Sequence, residues 1–514
     1  MIKTEFNRDK ALITLSSNPA DTWTIDDAMK GVSIIGGTGS GKTSASGKTL
    51  AIKFLKEGWG GLVLCAKSDE AVQWRQYCKE AGREDDLIVF RKGAMYEGDH
   101  QLYPGQEFVF NPIDYELKRS GEGAGETQNI TNIFMNIYRM GNRIASEGDT
   151  KEERYWDTAL KRCLNRVIEL LKLAGEDLSY SNMVKVITSS NDLDKTSVTD
   201  GIVDIEREDY NPDETSDDDN FCVRCLLKAY YTHFKDGDSA NDEQLNAYNL
   251  VGDYFTKAMP TMGSRTKSVV TESFMGLSEP FLSGLLYRHF SGATNILPEW
   301  TYEQQKIIVL DFPIKEYLDA GITAQCVFKL MFQQAVERRD VTKFPIPVFL
   351  WCDEAQYFVN PYDQIFLTTA RSSRTSTVYL SQNISNYFAV MGSGSDAKAR
   401  VDSLMGNLST KIFHANSDAE TNEYASRLIG NNIGYLTNAS NQQGLIDFNF
   451  STSEGISGQY LPQVQPREFT TLKSGGRLCE YKVQAVVMVS GRKWADGKNY
   501  LKTTFDQNFK NLDL

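Results

Sequence analysis

Gly36-Gly37-Thr38-Gly39-Ser40-Gly41-Lys42-Thr43 is the segment whose residue types and spacing speak most directly of chemistry. It fits G-x-x-x-x-G-K-[ST], in which glycines let the backbone curl so that successive amide N–H groups point at phosphate oxygens. The positive end of the following helix adds to the attraction. In such a cradle Lys42 reaches the β- and γ-phosphates and the Thr43 hydroxyl coordinates Mg²⁺, with Ser44 next to it completing the wall. ATP and Mg²⁺ are the expected cofactors. A plain glycine turn is the competing explanation, and the strand candidate Val32-Ser33-Ile34-Ile35 directly ahead weighs against it. Gly47-Lys48-Thr49 repeats the last letters of the pattern, but Lys42 stands where its first glycine belongs, so Lys48 is expected on the exposed side of the next helix.

A phosphate cradle only binds. Hydrolysis also requires a carboxylate that orients the metal and a base for the attacking water. Val348-Phe349-Leu350-Trp351-Cys352-Asp353-Glu354 offers both at the end of a buried strand, with Asp353 toward Mg²⁺ and Glu354 toward water. An acidic cap pair on the next helix is the structural alternative. Ile308-Val309-Leu310-Asp311 competes with one acid and no second, and reads as a neighbouring core strand. Thr377-Val378-Tyr379-Leu380-Ser381-Gln382 ends on an amide suited to sensing the γ-phosphate. Arg371 and Arg374, in Thr369-Ala370-Arg371-Ser372-Ser373-Arg374, have the charge to stabilise phosphoryl transfer in a neighbouring subunit.

The elements that must position these residues follow from hydrophobic periodicity. Short β-branched runs at Val32–Ile35, Leu62–Leu64, Leu87–Phe90, Ile307–Leu310, Val348–Trp351, Val378–Leu380 and Lys411–His414 alternate with helical segments, which predicts an α/β fold with a mostly parallel, helix-covered sheet. Between about Thr127 and Phe255 the period is helical, as in Trp156, Leu160, Cys163, Leu164, Val167, Leu170 and Leu171. The expected division is a nucleotide-binding core over residues 1–115 and 261–514, split by an all-α insertion over 116–260. Inside the insertion, Asp200 to Asp219 reads as a solvated acidic loop. Gly430 to Gln465, rich in Asn, Gln, Ser and Gly, reads as a long surface excursion with few regular elements, and strand character returns at Tyr481–Val489.

Composition narrows the class. With 514 residues, 41% apolar and 24% charged, the chain has the make-up of a folded protein with a large core. No stretch approaches the roughly 18 apolar residues of a membrane span, and the first residues lack a signal-peptide layout. The expected location is the cytoplasm or the periphery of a membrane complex, with no integral anchor. A net charge of -13 argues against a surface that coats nucleic acid, but not against a local basic channel. Of the eight cysteines only Cys222 and Cys225 are closely spaced, and without a second pair they read as core residues rather than a zinc site.

Together these residues carry a resemblance. The loop from Gly36 to Thr43, the long gap to Asp353-Glu354-Ala355-Gln356, the arginine segment and the strand ending at Gln382 resemble the P-loop motor ATPases of the FtsK/HerA superfamily. Phe110-Asn111-Pro112, Tyr155-Trp156-Asp157-Thr158-Ala159-Leu160, Gly406-Asn407-Leu408 and Lys411-Ile412-Phe413 are similar to the TraG/TraD-type coupling ATPases of conjugation and type IV secretion. The resemblance implies a RecA-like core with an all-α insertion, a homo-hexameric ring and DNA moved through its central pore. It implies Lys42 and Thr43 for phosphate and Mg²⁺, Asp353 and Glu354 for metal and water, Gln382 as sensor and Arg371 as the finger contributed across the subunit interface. Secretion, relaxase or defence proteins are expected as partners. Three features depart from it. The cradle begins at Gly36, which leaves no room for a preceding membrane anchor or for the small β-barrel of HerA-type enzymes. The Asp-x-Lys-Gly pattern of the family is here Cys65-Ala66-Lys67-Ser68, of which only Lys67 matches. A ring that translocates protein, or a nucleotide-controlled assembly platform, are the alternatives to a DNA motor.

Overall fold

The architecture comes from a computed structural model, which describes residues 7–91, 107–141, 151–190, 220–234, 241–392, 395–443 and 450–508. The acidic segment Asp200 to Asp219 lies outside the described residues. Every strand expected from the apolar runs is present. A nine-stranded sheet has the order β13-β12-β9-β3-β8-β7-β4-β6-β5. Its members are β3 (Val32–Ile35), β4 (Gly60–Leu64), β5 (Leu87–Phe90), β6 (Ile307–Leu310), β7 (Val348–Cys352), β8 (Thr375–Ser381), β9 (Thr410–Phe413), β12 (Lys482–Val489) and β13 (Tyr500–Asp506). From β9 to β5 all neighbours are parallel, and β12 and β13 close one side antiparallel.

Both faces of this sheet are covered, which is why its strands are apolar runs rather than alternating ones. Successive side chains point to opposite faces. On one face Val32, Ile34, Val63, Phe349, Trp351, Val378 and Leu380 pack with the helices α1 (Ile25–Met29), α2 (Lys48–Lys56) and α3 (Glu70–Ala81). On the other, Ile35, Leu62, Leu64, Leu350, Cys352 and Tyr379 join a larger core. That core includes α4 (Lys151–Leu173) and α5 (Ile314–Arg338). Among the described residues, the chain between β5 and β6 is helical wherever it is regular, and the helical run continues to Phe290. Cys222 and Cys225 are free thiols buried in this core.

Aromatic packing sets the angle of α3 on the sheet. Trp74 stacks on Phe349 with ring centroids 5.3 Å apart and meets Trp351 edge-on at 5.3 Å. Behind β7, α5 is tied to the loop that follows Glu354. Lys329 on α5 and Asp363 on α6 (Pro361–Thr369) are fully buried and paired at 2.7 Å, and Lys329 also donates to the Phe358 carbonyl. Asp363 further accepts from Gln333, Tyr379 and the Asn360 N–H, so every lone-pair direction of this buried carboxylate is used.

The stretch expected as an irregular surface excursion is regular instead. Gly430 to Gln465 is dominated by a long hairpin, β10 (Asn431–Gln443) against β11 (Phe450–Pro462), in register from Asn431↔Pro462 to Gln443↔Phe450. Ladder hydrogen bonds join backbone to backbone, so a run of Asn, Ser and Gln forms strands without the apolar signal that buried strands show. The hairpin is a sheet of its own, as is the short pair β1 (Ala11–Thr14) and β2 (Thr22–Thr24). No helix among the described residues is long and apolar enough to cross a membrane.

Candidate nucleotide site

Parallel strands bring their C-terminal ends to one edge, and the chemistry-bearing residues collect there. The loop 36–43 leaves β3, Gln382 directly follows β8, Asp353 and Glu354 follow β7, and Lys67 stands three residues past β4. Sheet order also disposes of the competing acid. Asp311 follows β6, four strands from β3, or roughly 19 Å at the usual strand spacing. It pairs with Arg91, and burial pushes its carboxyl up to about 6.

Gly39 and Gly41 have φ of 74° and 82°, values that a side chain would strain. A Cβ at Gly41 would also meet Val483 at 2.6 Å. The loop runs into a helical turn at Thr43–Gly47 and then α2, which aims a helix N-terminus at the cradle. Lys42 is buried, with its Nζ 4.0 Å from Glu354 Oε1. Thr43 Oγ1 donates to Asp353 Oδ2 at 3.0 Å, which places side by side the two oxygens expected to flank Mg²⁺. Ser40 Oγ is buried and has no hydrogen-bond partner, the signature of a group waiting for a ligand. In front of the loop lies a cleft of about 670 Å³ bordered by Gly37, Thr38, Gly39, Ser40, Gln382, Asn416 and Asp418. These donors fit a nucleotide phosphate chain with its divalent ion. When bound, the ion supplies charge neutralisation for the phosphates.

Glu354 has a φ of 48°, a strained conformation for a non-glycine residue, and its carboxylate is the hub of the site. Oε1 accepts from Gln382 Nε2 at 3.0 Å and from Lys67 Nζ at 3.3 Å, while Oε2 accepts from Gln356 Nε2 at 3.1 Å. Burial works to raise its pKa, but the amides of Gln382 and Gln356 and the charges of Lys42 and Lys67 prevail and hold it below the usual value. It is therefore ionised at neutral pH. Gln382 also accepts from Thr38 Oγ1 at 3.1 Å, so one amide bridges the loop 36–43 and the Glu354 carboxylate.

Residues 347–473 match a family model described as the TraM recognition site of TraD and TraG. Across the whole chain, the architecture is similar to the bacterial conjugative coupling protein TrwBdeltaN70 in its unbound monoclinic form. The identity is 14%, the TM-score 0.55, and the match covers 98% of this chain and 88% of that one. Plasmid coupling protein TrwB in complex with the ATP analogue ADPNP matches at 14% identity and TM-score 0.55, over 98% of this chain and 92% of that one. TrwB in complex with ADP and Mg²⁺ matches at 13% and 0.52, over 99% and 91%. No curated protein sequence matches. The chain has the conjugative coupling-protein fold.

Within that fold not every predicted residue reaches the cradle. Arg371 precedes β8, at the opposite end of the sheet from Gln382, roughly 20 Å away along the strand. It is half-exposed and pairs with Asp26 through Nε at 3.1 Å and Nη2 at 3.0 Å. Arg374 has a φ of 51° and donates to the Pro345 carbonyl at 2.8 Å. Buried Arg339 clamps this turn by donating to the carbonyls of Ile346, Ser373 and Arg374. Ser44 is exposed and its Oγ accepts from Gln507 at 2.7 Å, which ties the end of β13 to the helical turn that leaves the loop. Lys48, expected on the exposed side of the helix, is instead mostly buried and pairs with Glu80 at 3.2 Å.

Four residues take part in the site without a role read from the sequence. Lys67, the one match to the Asp-x-Lys-Gly pattern of the family, donates to Glu354. Burial works against its ammonium, but Asp353, Glu354 and Glu70 outweigh this and raise its pKa. Gln325 on α5 holds the Lys67 turn through both backbone groups of Cys65, at 2.7 and 3.0 Å. Gln356 joins Glu354 to Ser381, and the Asp-Glu-Ala-Gln string was the available signal. His414, directly after β9, contacts Ser46 Oγ at 2.7 Å through Nε2 and the Gln484 carbonyl through Nδ1. Burial lowers its pKa to about 4, so the imidazole is neutral.

Proposed function

We propose that this chain is an ATP-hydrolysing motor of the conjugative coupling type, which assembles as a six-membered ring and moves DNA through its centre. The observation that carries the reading is the convergence on Glu354: one ionised carboxylate is held by Lys67 and by the sensor amide of Gln382, beside Lys42 and the Thr43–Asp353 pair. Binding nucleotide draws Lys42 toward the phosphates, which leaves Glu354 free to polarise water. Gln382, bonded both to Thr38 and to Glu354, couples the state of the phosphate loop to the base. Hydrolysis then resets the strand ends on which the subunit contacts depend.

Residues 1–115 and 261–514 are read as the nucleotide-binding core and 116–260 as its all-α insertion. Arg371, half-exposed on the far edge of the sheet, is the finger offered to the next subunit's nucleotide, and Asp26 parks it between cycles. The description of the family matched by residues 347–473 supports a partner protein docking on that segment, as TraM does on TraD and TraG. The net charge of -13 favours a second reading, a ring that moves polypeptide. The two separate in one experiment, phosphate release by the full chain with and without DNA. A DNA motor is stimulated several-fold, the stimulation falls steeply with salt, and Lys42→Ala abolishes it. An active hexamer indifferent to single- and double-stranded DNA sinks the DNA reading.

A further inference from the structure

Glu70 opens α3, and the reading of the site given above leaves one of its oxygens unexplained. The residue is 4% exposed. Oε2 accepts from the Ala66 N–H at 2.8 Å, which fixes the turn after β4, whereas Oε1 is buried and accepts no hydrogen bond. A neutral side chain would serve for the turn alone, so the second oxygen of a buried carboxylate calls for a partner of its own.

Secondary-structure geometry says where that oxygen looks. Glu70 and Trp74 are four residues apart on α3 and share a helix face, and Trp351 and Asp353 are two apart on β7 and its continuation and share a sheet face. Trp74 packs on Trp351, so Glu70 is brought against Asp353. The two acids and Thr43 line one small cavity, closed below by Trp74, Tyr77 and Trp351. Its free volume is about 10 Å³, the space of a single water. Among the described residues no three His, Cys, Asp or Glu side chains converge closely enough to ligate an ion directly. Mg²⁺ binds through few protein ligands and keeps several of its waters, and groups that hold those waters tune its affinity.

We infer that Glu70 is an outer-sphere determinant of the Mg²⁺ site, its Oε1 taking a hydrogen bond from one ion-bound water across the cavity it shares with Thr43 and Asp353. The inference rests on the nucleotide site proposed above. It gives the Glu70 carboxylate a positioning role: it orients the shell of the ion that Thr43 and Asp353 hold, and touches neither phosphate nor the attacking water.

The test is metal affinity rather than turnover. Full-length protein is saturated with ADP and titrated with Mn²⁺, and free Mn²⁺ is read by electron paramagnetic resonance. Glu70→Gln keeps an oxygen for the Ala66 N–H and replaces the acid by an amide that cannot ionise. It should weaken Mn²⁺ binding about tenfold while leaving metal-free ADP affinity within twofold. Glu70→Asp, which restores the charge one methylene short, should recover most of the loss. Unchanged Mn²⁺ affinity in Glu70→Gln overturns the inference, and so does an equal loss of ADP affinity without metal, which would make Glu70 a support of the loop only. Wild-type protein that binds no ADP at all would instead overturn the nucleotide site.

Discussion

Replacing Glu354 by glutamine keeps its shape and removes its charge, which separates binding from hydrolysis. In the structure Oε1 lies 4.0 Å from Lys42 Nζ, the group expected on the γ-phosphate, so the carboxylate stands near an arriving phosphate and repels it. Removing that charge should tighten ATP binding by about 1 kcal/mol, a factor of roughly five. Losing the base should slow the chemical step by about 10²–10⁴-fold, or roughly 3–5 kcal/mol of barrier. The variant should therefore hold ATP without turning it over. Binding of a fluorescent ATP analogue at equilibrium and single-turnover phosphate release read the two effects separately. Hydrolysis within threefold of wild type would refute the assignment of the base. Loss of ATP binding would show that Glu354 supports the cradle instead.

Three further outcomes follow from the geometry. Arg371→Ala should lower kcat of the assembled ring by about 10³-fold or more with nucleotide affinity unchanged, whereas Arg374→Ala, which releases the Pro345 carbonyl, should show as a lower Tm in thermal melts. Asp363→Ala leaves the buried Lys329 ammonium unpaired and should cost about 3–5 kcal/mol in denaturant unfolding; Asp363→Leu combined with Lys329→Met should recover most of it. His414 is held neutral by burial at a folded pKa of about 4 against 6.5 unfolded, so between those values the unfolded chain binds the extra proton. Its contribution is full above pH 6.5 and is lost as pH falls toward 4, by roughly 3 kcal/mol in all, and His414→Gln should flatten that limb of the stability curve.

The parts of the fold that were legible in the sequence share a physical cause. Strands buried on both faces require apolar side chains throughout, so β3, β4, β7 and β8 were visible as runs, and a phosphate loop requires glycines at fixed offsets. Where the cause lies in the backbone or in three dimensions the sequence is quieter. The β10–β11 hairpin is built from ladder hydrogen bonds and polar residues, and so read as irregular. Asp311 and Asp353 both follow apolar strands, and only the strand order separates them. Lys67 matches its motif alone, between Cys65 and Ser68 that depart from it, and the turn that aims it is held by Gln325 from 260 residues beyond Cys65. Glu70 resembles any acidic residue at a helix start until its packing against Asp353 is known.

If hydrolysis at this cradle moves DNA, the full-length protein should displace streptavidin from the ends of biotinylated single- or double-stranded DNA, with Glu354→Gln as control. ATP-dependent displacement by the wild type on at least one of the substrates, absent in the variant and suppressed by salt, is the predicted result. ATP turnover by a wild-type ring that displaces nothing from either substrate would show that hydrolysis here does not move DNA.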